Sequence, residues 1–373
     1  MTLMKMAVER ELSVAIDGAE EQSLPKPFPS DASDLGIEAD LLAFAATFAR
    51  RYSSRKPTIY WTDMSLSAGA GWLMVVLAIC SSHSVLTGSA ILLAVLLLYR
   101  AASFVHELSH LPRGELPGFR TAWNILVGIP LLIPSFMYEG VHNQHHTKTR
   151  YGTSADPEYL PLASMPFKVT ITFLATSFLV PFLLLFRFGI LTPLSFVIPS
   201  LRETVITRFS ALAINPAYRR RQPTGSFRTQ WLRQEAAASV WSLALILSPW
   251  IWGWRPLVIY LVTLSVVAFL NQIRTLTAHL WESQGMQMSV TEQYLDSVNV
   301  PPPELLPALW APVGLRYHAL HHLLPGVPYH SLGQAHQQMM KIPQIKSVYT
   351  KTNRSGILRM LSEIRNKALT RKV

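Results

Sequence analysis

Long apolar segments, each about the length of one helix, are separated by polar segments along this chain. Four apolar runs approach or reach the length that crosses a bilayer, and short polar turns join them in two pairs. A hydrocarbon core of ~30 Å needs about twenty such residues. The pattern predicts an all-α integral membrane protein with four transmembrane helices in two hairpins, at residues 65–82, 85–105, 234–254 and 256–277.

Two further apolar stretches, residues 121–137 and 166–200, are interrupted by prolines, and the second also contains Arg187. Proline removes a helical hydrogen bond, so each stretch is divided into shorter pieces. At about 1.5 Å per residue, either half of 166–200 reaches roughly 20 to 25 Å, less than the hydrocarbon thickness. We expect helices that lie in the interface or dip into the membrane, with 166–200 crossing either not at all or twice.

The two ends of the chain differ in character. Residues 1–40 mix acidic residues with prolines, which predicts a mobile tail, and the apolar residues 41–48 predict a short interfacial segment. Near the C-terminus basic residues surround an apolar stripe of Ile357, Leu358, Leu361 and Ile364, which predicts an amphipathic helix on anionic lipid. The chain therefore divides into an N-terminal segment (1–60), a membrane domain (61–340) and a basic tail (341–373).

Charge and cysteine content narrow the function. Only 15% of the 373 residues are charged, and the net charge is +11. The basic residues lie beside apolar runs, so they fit anionic lipid head groups better than nucleic acid. The single cysteine, Cys80, lies in an apolar run, which excludes disulfides. Arg255 is the one basic residue in the hairpin turns, so the positive-inside rule predicts that both termini are cytoplasmic.

Eight of the twelve histidines fall into three clusters, which read HELSH, HNQHH and HALHH. Residues three or four apart on a helix lie on one face, so each cluster aims its imidazoles in one direction. Burying uncoordinated imidazoles together would cost desolvation without structural gain. Neutral imidazole binds iron, copper, nickel and zinc, and eight ligands exceed the needs of one tetrahedral zinc. The pattern predicts two metal ions held by His106, His110, His142, His145, His146, His318, His321 and His322.

A shared metal site requires all three clusters to lie on one side of the membrane. Residues 121–137 separate the first two clusters, so this stretch must lie in the interface or re-enter. The predicted architecture is therefore four spans with interfacial helices and a cytoplasmic cap rich in histidine.

In order and spacing, these clusters resemble the histidine boxes of the membrane fatty acid desaturases and of the hydroxylases and ketolases that share their di-iron scaffold. The similarity covers roughly residues 60–340 and continues beyond the boxes. It includes GTSADPEYLPL after the second cluster, NQIRTLTAHLW at residues 271–281, and HHLLPGVPYH after the third cluster.

The resemblance implies an enzyme in which the eight clustered histidines and His279, as a ninth, bind two iron ions and no other residue is catalytic. It implies dioxygen-dependent desaturation of a fatty acyl chain. A hydroxylase or ketolase of a lipid or carotenoid is the open alternative, because the boxes do not distinguish them. The sequence has no haem, flavin, nicotinamide or iron–sulfur motif, so electrons would come from a separate ferredoxin-like or cytochrome b5-like donor.

Basic residues near the second box, Lys148 and Arg150, could steer an acidic electron carrier to the site. For the membrane itself, we expect a bacterial inner membrane in preference to the endoplasmic reticulum.

Supporting roles are predicted for a few other residues. Asp156 and Glu158 are candidate partners for imidazole N–H groups, with a loop-stabilising turn as the alternative. Arg274 lies near the level of His279 and is either functional or reaches the head groups. Thr275 stands where some relatives have an asparagine that acts through a water, which puts that contact in doubt. We expect no metal ligation from the remaining histidines, His83, His330 and His336.

Two other classes of protein compete with this interpretation. HELSH also matches the H-E-x-x-H motif of zinc proteases, in which Glu107 would be the general base, and Asp296 loosely suggests their additional ligand. That hypothesis leaves most clustered histidines unused. A non-catalytic metal carrier would need ionisable residues along the spans, which nearly lack them. Metal content distinguishes the classes, because a protease would carry one zinc and an oxygenase two irons.

Overall fold

The computed structural model describes residues 32–283 and 285–370. This part of the chain is helical, and its only β-type pairings are isolated bridges, such as that between His279 and Ser297. The predicted all-α class is therefore confirmed for the described residues. Residues 1–31, which belong to the predicted mobile tail, lie outside them.

Three helices open the described chain, and the second and third form the first predicted hairpin. Pro57 supplies the pre-set φ angle that suits a helix start. At the turn, the His83 side chain accepts a hydrogen bond from Leu86 N, which caps the third helix. Gly71 allows close packing, because a Cβ there would lie 2.8 Å from the Leu98 side chain. The helices are α1 (Ala32–Tyr52), α2 (Pro57–Cys80) and α3 (Ser84–His110).

Helix α1 differs from the prediction for the N-terminal segment. Residues 32–40 are helical rather than part of a mobile tail. Leu41, Ala45 and Phe48 recur on one face of α1, and that face is buried against protein. The apolar residues expected to touch the membrane interface thus pack against the helices that follow the second hairpin, and they share one buried apolar cluster with them.

Residues 119–137, which include the predicted stretch 121–137, turn back on themselves. Helix α4 (Phe119–Trp123) continues into a π-helical turn, Asn124–Gly128, and the chain then reverses. Ten helical residues reach about 15 Å, too short to span. The reversal lies deep between the hairpins, since the Tyr260 hydroxyl donates to Pro130 O at 2.6 Å. Asn124 joins the two limbs by bonding the backbone N–H and the hydroxyl of Ser135.

Residues 142–145 form the short helix α5 (His142–His145), and a long apolar segment follows. The segment Phe167–Val197 is helical throughout, so length and composition give five candidate spans instead of the predicted four. A 3-10 turn and a π-helical turn accommodate its interior prolines and Arg187. Its helices are α6 (Phe167–Ala175), α7 (Val180–Phe186) and α8 (Thr192–Val197), followed by α9 (Pro199–Phe209).

The second hairpin consists of α10 (Gly225–Trp252) and α11 (Trp254–Leu276), joined at Gly253, whose φ of +73° favours glycine. Arg255, at the turn, donates to the carbonyl oxygens of Ala78 and Ile79 at the end of α2. This contact ties the turn of the second hairpin to the end of α2. The predicted pair of hairpins is therefore present, with each helix within a turn or two of its expected range, apart from the longer start of α10.

Contacts with the second hairpin trace the course of the segment 167–197. Gln272, near the end of α11, donates to Phe173 O at 3.1 Å, and Ser265, in the middle of α11, donates to Phe178 O at 3.1 Å. Farther along, Ser239 of α10 donates to Phe188 O at 2.7 Å. The segment thus descends from the end of α11 to the middle of both helices.

Helix α9 then returns the chain towards the level at which it entered. Its Arg202 pairs with Glu235 at 2.7 Å, and Glu235 also pairs with the buried Arg187 at 2.7 Å. After α9, Ile214 N donates to Pro157 O at 3.0 Å, beside the loop that follows the second histidine cluster. Both ends of the segment therefore lie towards the same end of the helix bundle.

The remaining helices form a cap over one end of the bundle. Helix α17 carries the predicted apolar stripe, of which Ile364 is buried and Ile357 and Leu361 pack against the cap, whereas Leu358 is 80% exposed. The cap helices are α12 (Val290–Asp296), α13 (Pro307–Trp310), α14 (His318–Leu323), α15 (Tyr329–Met339), α16 (Pro343–Tyr349) and α17 (Ile357–Thr370).

Candidate metal centre

The ends of the two hairpins deliver histidines to one place. His106 and His110 lie in the last turns of α3, four residues apart and therefore on one face. His279 lies three residues beyond the end of α11, in a turn whose N–H and C=O groups bond to the chain around Asp296 and Val298. The second and third clusters lie on the short helices α5 and α14, packed between these ends.

All nine histidines named in the sequence analysis come together in two groups. In each group the potential ligand atoms lie within 4.8 Å of one another. The first group contains His106, His110, His142, His146 and His321, and the second contains His145, His279, His318 and His322. The groups adjoin, since the rings of His146 and His322 stack at 4.4 Å.

Distances between the imidazole nitrogens fit shared metal ions. The Nε2 atom of His321 lies 3.0 Å from that of His110 and 3.2 Å from that of His146. In the second group, the Nε2 atoms of His279 and His318 are 3.0 Å apart. Two nitrogens bound at about 2.1 Å to one ion, at right angles to each other, would lie about 3.0 Å apart. The donor set therefore fits two ions with imidazole ligands.

Several buried ring nitrogens also lack a partner among the described residues. Neither nitrogen of His106 has a hydrogen bond, and the Nδ1 atoms of His321 and His322 have none. A buried polar atom without a partner costs of order 1–3 kcal/mol. Metal ligation would satisfy one of the two nitrogens of His106, which supports the fit of this donor set to a metal ion.

Two of the clustered imidazoles contact carboxylates through their Nδ1 atoms. Asp156 accepts from His145 Nδ1 at 2.9 Å, and Glu158 lies 3.1 Å from His142 Nδ1. Asp156 is itself fixed by the backbone N–H groups of Gly152 and Glu158. Both residues therefore contact imidazole N–H groups, as the sequence suggested, and Asp156 also stabilises the loop. An imidazole that donates from Nδ1 keeps Nε2 free for a metal.

His279 is supported by residues that the sequence reasoning missed. The Tyr151 hydroxyl lies 2.9 Å from His279 Nδ1 and donates to Asp296 at 2.9 Å, and the Ser297 hydroxyl lies 3.2 Å from His279 Nδ1. Tyr138 similarly contacts His142 and Glu158. No sequence signal joins Tyr151 to a residue 128 positions away, so only the fold could reveal the contact.

Burial keeps most of these imidazoles neutral. Desolvation and the neighbouring imidazoles lower the pKa of His146, His318 and His322 well below its usual value. His145 is the exception: burial opposes its charged form, but the carboxylate of Asp156 outweighs burial and raises the pKa. Neutral imidazole is the form that binds metals, so the environment favours ligation.

Comparison with known proteins agrees with this geometry. The chain matches the family described as fatty acid desaturase over residues 81–352, a range that includes both histidine groups. The chain belongs to the fatty acid desaturase family. The resemblance drawn from the boxes is thereby confirmed, and this fatty acid desaturase family member is a membrane oxidoreductase.

A relative of this desaturase-family protein is named for a different activity. The chain is 47% identical over 309 residues to a protein named ceramide hydroxylase from Caulobacter vibrioides, and the match covers 82% of this chain and 88% of the relative. No solved structure matches the chain significantly.

The zinc protease hypothesis loses its candidate residues in this family member. Glu107 belongs to neither histidine group; its carboxylate accepts from the Tyr60 hydroxyl and from Tyr329 N. Asp296 faces Tyr151, and its burial raises its pKa to about 7. The general base and the additional ligand of such a protease are therefore both engaged elsewhere.

Of the other residues named in the sequence analysis, Arg274 lies beside the histidine groups, and His83, His330 and His336 make other contacts. Arg274 is buried, with Nη2 3.5 Å from His318 Nδ1, so it turns towards the centre rather than to head groups. His83 caps α3 at the opposite end of the hairpin, and His330 accepts from Lys56 N. His336 contacts the Tyr349 hydroxyl, and its pKa is lowered by burial to about 4. Among the described residues, these three histidines lie in neither group.

Replacing Asp156 by asparagine tests the support of His145. Asparagine keeps an acceptor oxygen but loses the charge that favours an N–H at His145 Nδ1. Loss of such a partner typically costs about 10–100-fold in metal affinity, and we expect that loss for iron. Competition with a chelator, read as iron retained per chain, measures it. Glu292→Gln is the control, because Glu292 serves only as an exposed helix cap at Ser289, and unchanged retention in D156N would contradict the role.

Proposed function

We propose that this protein hydroxylates a long-chain lipid of the ceramide type at a histidine-ligated di-iron centre. The observation that carries the proposal is the 47% identity to a ceramide hydroxylase over most of both chains. The two histidine groups supply the donor set that such chemistry needs. Desaturation of an acyl chain is the second candidate, favoured by the family match.

The nine histidines divide between the two metal ions as the groups suggest. His106, His110, His142, His146 and His321 would hold one iron, and His145, His279, His318 and His322 the other. Iron held there supplies the activation of dioxygen, which a saturated C–H bond requires because no acid, base or nucleophile can remove its hydrogen. Asp156, Glu158, Tyr138 and Tyr151 orient the imidazoles through their Nδ1 atoms.

The balance of the reaction requires an electron source. Hydroxylation places one atom of dioxygen between carbon and hydrogen and reduces the other to water with two electrons and two protons. Desaturation uses the same reductant but removes two hydrogens from the lipid and forms two waters. We propose a separate carrier, ferredoxin-like or cytochrome b5-like, as electron donor. Lys148 is exposed beside the second box and is available to attract an acidic surface.

The proposed topology follows from the position of the centre. His145 precedes the segment 167–197 and the second hairpin, whereas His279 follows both, yet their rings lie 5.1 Å apart. A hairpin returns the chain to its starting side, so 167–197 must cross an even number of times. Its contacts favour a re-entrant course, which supports four spans. Charge distribution supports a cap and both termini in the cytoplasm, here of a bacterial inner membrane.

Product mass tests the proposed reaction. Iron-loaded protein with a reductase system, dioxygen and a ceramide should yield a product 16 mass units heavier, with the added oxygen drawn from labelled dioxygen. A product two units lighter would establish desaturation instead. His145→Ala protein is the control for contaminating activity. If neither product forms on ceramide, on free fatty acid or on total lipid extract, the proposed function fails.

A further inference from the structure

The loop between α12 and α14 exposes large apolar side chains outside every candidate span. Leu305 is 84% exposed, Leu306 65% and Leu309 49%. The candidate spans end at Leu276, so none of them includes this loop. Three adjacent exposed leucines on an extramembrane cap need a partner, because a contiguous apolar patch in water favours association.

The position of the loop identifies the partner as the bilayer. Helix α13, within the loop, packs against α3 and α11, which are both candidate spans. The Tyr99 hydroxyl of α3 donates to Trp310 O at 2.9 Å. The next residue, Arg100, pairs with Asp63 of α2 and is partly exposed. A partly exposed ion pair between two spanning helices marks the level of the lipid head groups, so the loop lies at that level.

The backbone of the loop suits an apolar surrounding. Residues 301–303 and Pro307 are prolines, which have no N–H group that would need a partner in lipid. The base of the loop is fixed by Arg316, which donates to Val300 O and Glu304 O, both at 2.8 Å. Pro307 is buried, so the leucines beside it are directed outward.

We propose that Leu305, Leu306 and Leu309 insert into the bilayer at the boundary between head groups and acyl chains. Removing each leucine side chain from water favours this insertion. Arg316 connects the loop directly to α14, which carries His318, His321 and His322. The insertion therefore fixes the height of the third histidine cluster above the membrane, whatever reaction the centre performs.

Depth measurement with a spin label tests the insertion. Cys80 is replaced by serine, and Leu306→Cys is labelled with a nitroxide in liposomes of a zwitterionic and an anionic phospholipid. We expect higher accessibility to oxygen than to a water-soluble nickel chelate, with a shift towards the ratio at Leu73→Cys, an exposed position on α2. Lys341→Cys, which is exposed on the cap, gives the aqueous reference. A ratio at 306 equal to that at 341 would overturn the proposal.

Leu309→Cys, within α13 and three residues along the chain, provides a second, independent reading of the same patch. Because both side chains are exposed, neither substitution removes a core contact. If label pairs at 306 show mutual dipolar broadening at high dilution in lipid, the leucines contact a second copy of the chain, and insertion is refuted. Insertion predicts isolated labels with lipid-like accessibility at both positions. The reading requires no turnover, so it is independent of the proposed hydroxylation.

Discussion

His279→Ala protein should retain less iron than the unaltered chain and lose at least about 100-fold in turnover. Loss of a residue that only hydrogen-bonds to a metal ligand costs about 10–100-fold, and loss of the ligand itself should cost more. His279 belongs to the group of four histidines, whose remaining members would offer three nitrogens. Its Nε2 lies 3.0 Å from that of His318, and its Nδ1 is oriented by Tyr151 and Ser297. Metal analysis of the purified protein, alongside product formation, measures both effects.

Two control variants separate loss of a ligand from loss of a histidine. His83→Ala removes an exposed histidine at the far end of the bundle and should leave iron and turnover unchanged. His336→Gln alters a buried histidine that bonds Tyr349 and lies in neither group; it should lower stability without lowering iron per folded chain. If His279→Ala protein keeps two irons, the ninth ligand is wrongly assigned and the group of four needs another donor.

The sequence was sufficient to predict the parts of the structure that depend on long apolar runs or on residues spaced three or four apart. Apolar runs predicted both hairpins, and the spacing within HELSH, HNQHH and HALHH predicted which histidines share a direction. The requirement that these clusters meet also predicted that residues 121–137 lie in the interface or re-enter, and the bond from Tyr260 to Pro130 fits a chain that turns back there. Periodicity succeeds here because lipid forces every backbone group to be satisfied within its own helix.

Features that depend on long-range contacts were not predictable. The stripe of Leu41, Ala45 and Phe48 is equally consistent with a surface at the membrane interface and with a face packed on protein. In the structure these residues pack on the cap. On α17, Ile357, Leu361 and Ile364 likewise pack on the cap, and Leu358 alone of the predicted stripe is exposed. Tyr151 supports His279 only because the second box folds beside the end of α11. A tyrosine and a histidine so far apart in sequence carry no shared period.

Arg187 shows how the fold tolerates a charge in an apolar helix. Its guanidinium donates to Phe209 O, to the hydroxyls of Thr192 and Ser210, and to Glu235, so its hydrogen-bonding capacity is largely used. Glu235 also accepts from Arg202 at 2.7 Å. The sequence alone treated Arg187 as an interruption of the helix. The structure instead makes it the link that holds 167–197 against α10.

Glu235→Gln should therefore destabilise the protein strongly. The substitution leaves two arginines, one of them almost fully buried, without their carboxylate, and breaking a buried pair in this way costs about 3–5 kcal/mol. Chemical unfolding in detergent, compared with the unaltered chain, measures the loss in free energy of unfolding. Glu363→Gln is the matched control: Glu363 pairs with Arg354 and Arg359 on the cap surface, where exposed pairs contribute about 0–1 kcal/mol.

A combined replacement of all three charged residues makes the prediction sharper. Combining Glu235→Leu with Arg187→Met and Arg202→Met removes the charges together, and an apolar cluster of similar volume can equal or exceed a buried ion cluster in stability. The triple variant should therefore be more stable than Glu235→Gln alone, because the cost of the single change lies in the uncompensated arginines. Equal losses in both variants would mean that the hydrogen bonds of Arg187 to Phe209, Thr192 and Ser210, rather than its charge pairing, hold the segment 167–197 in place.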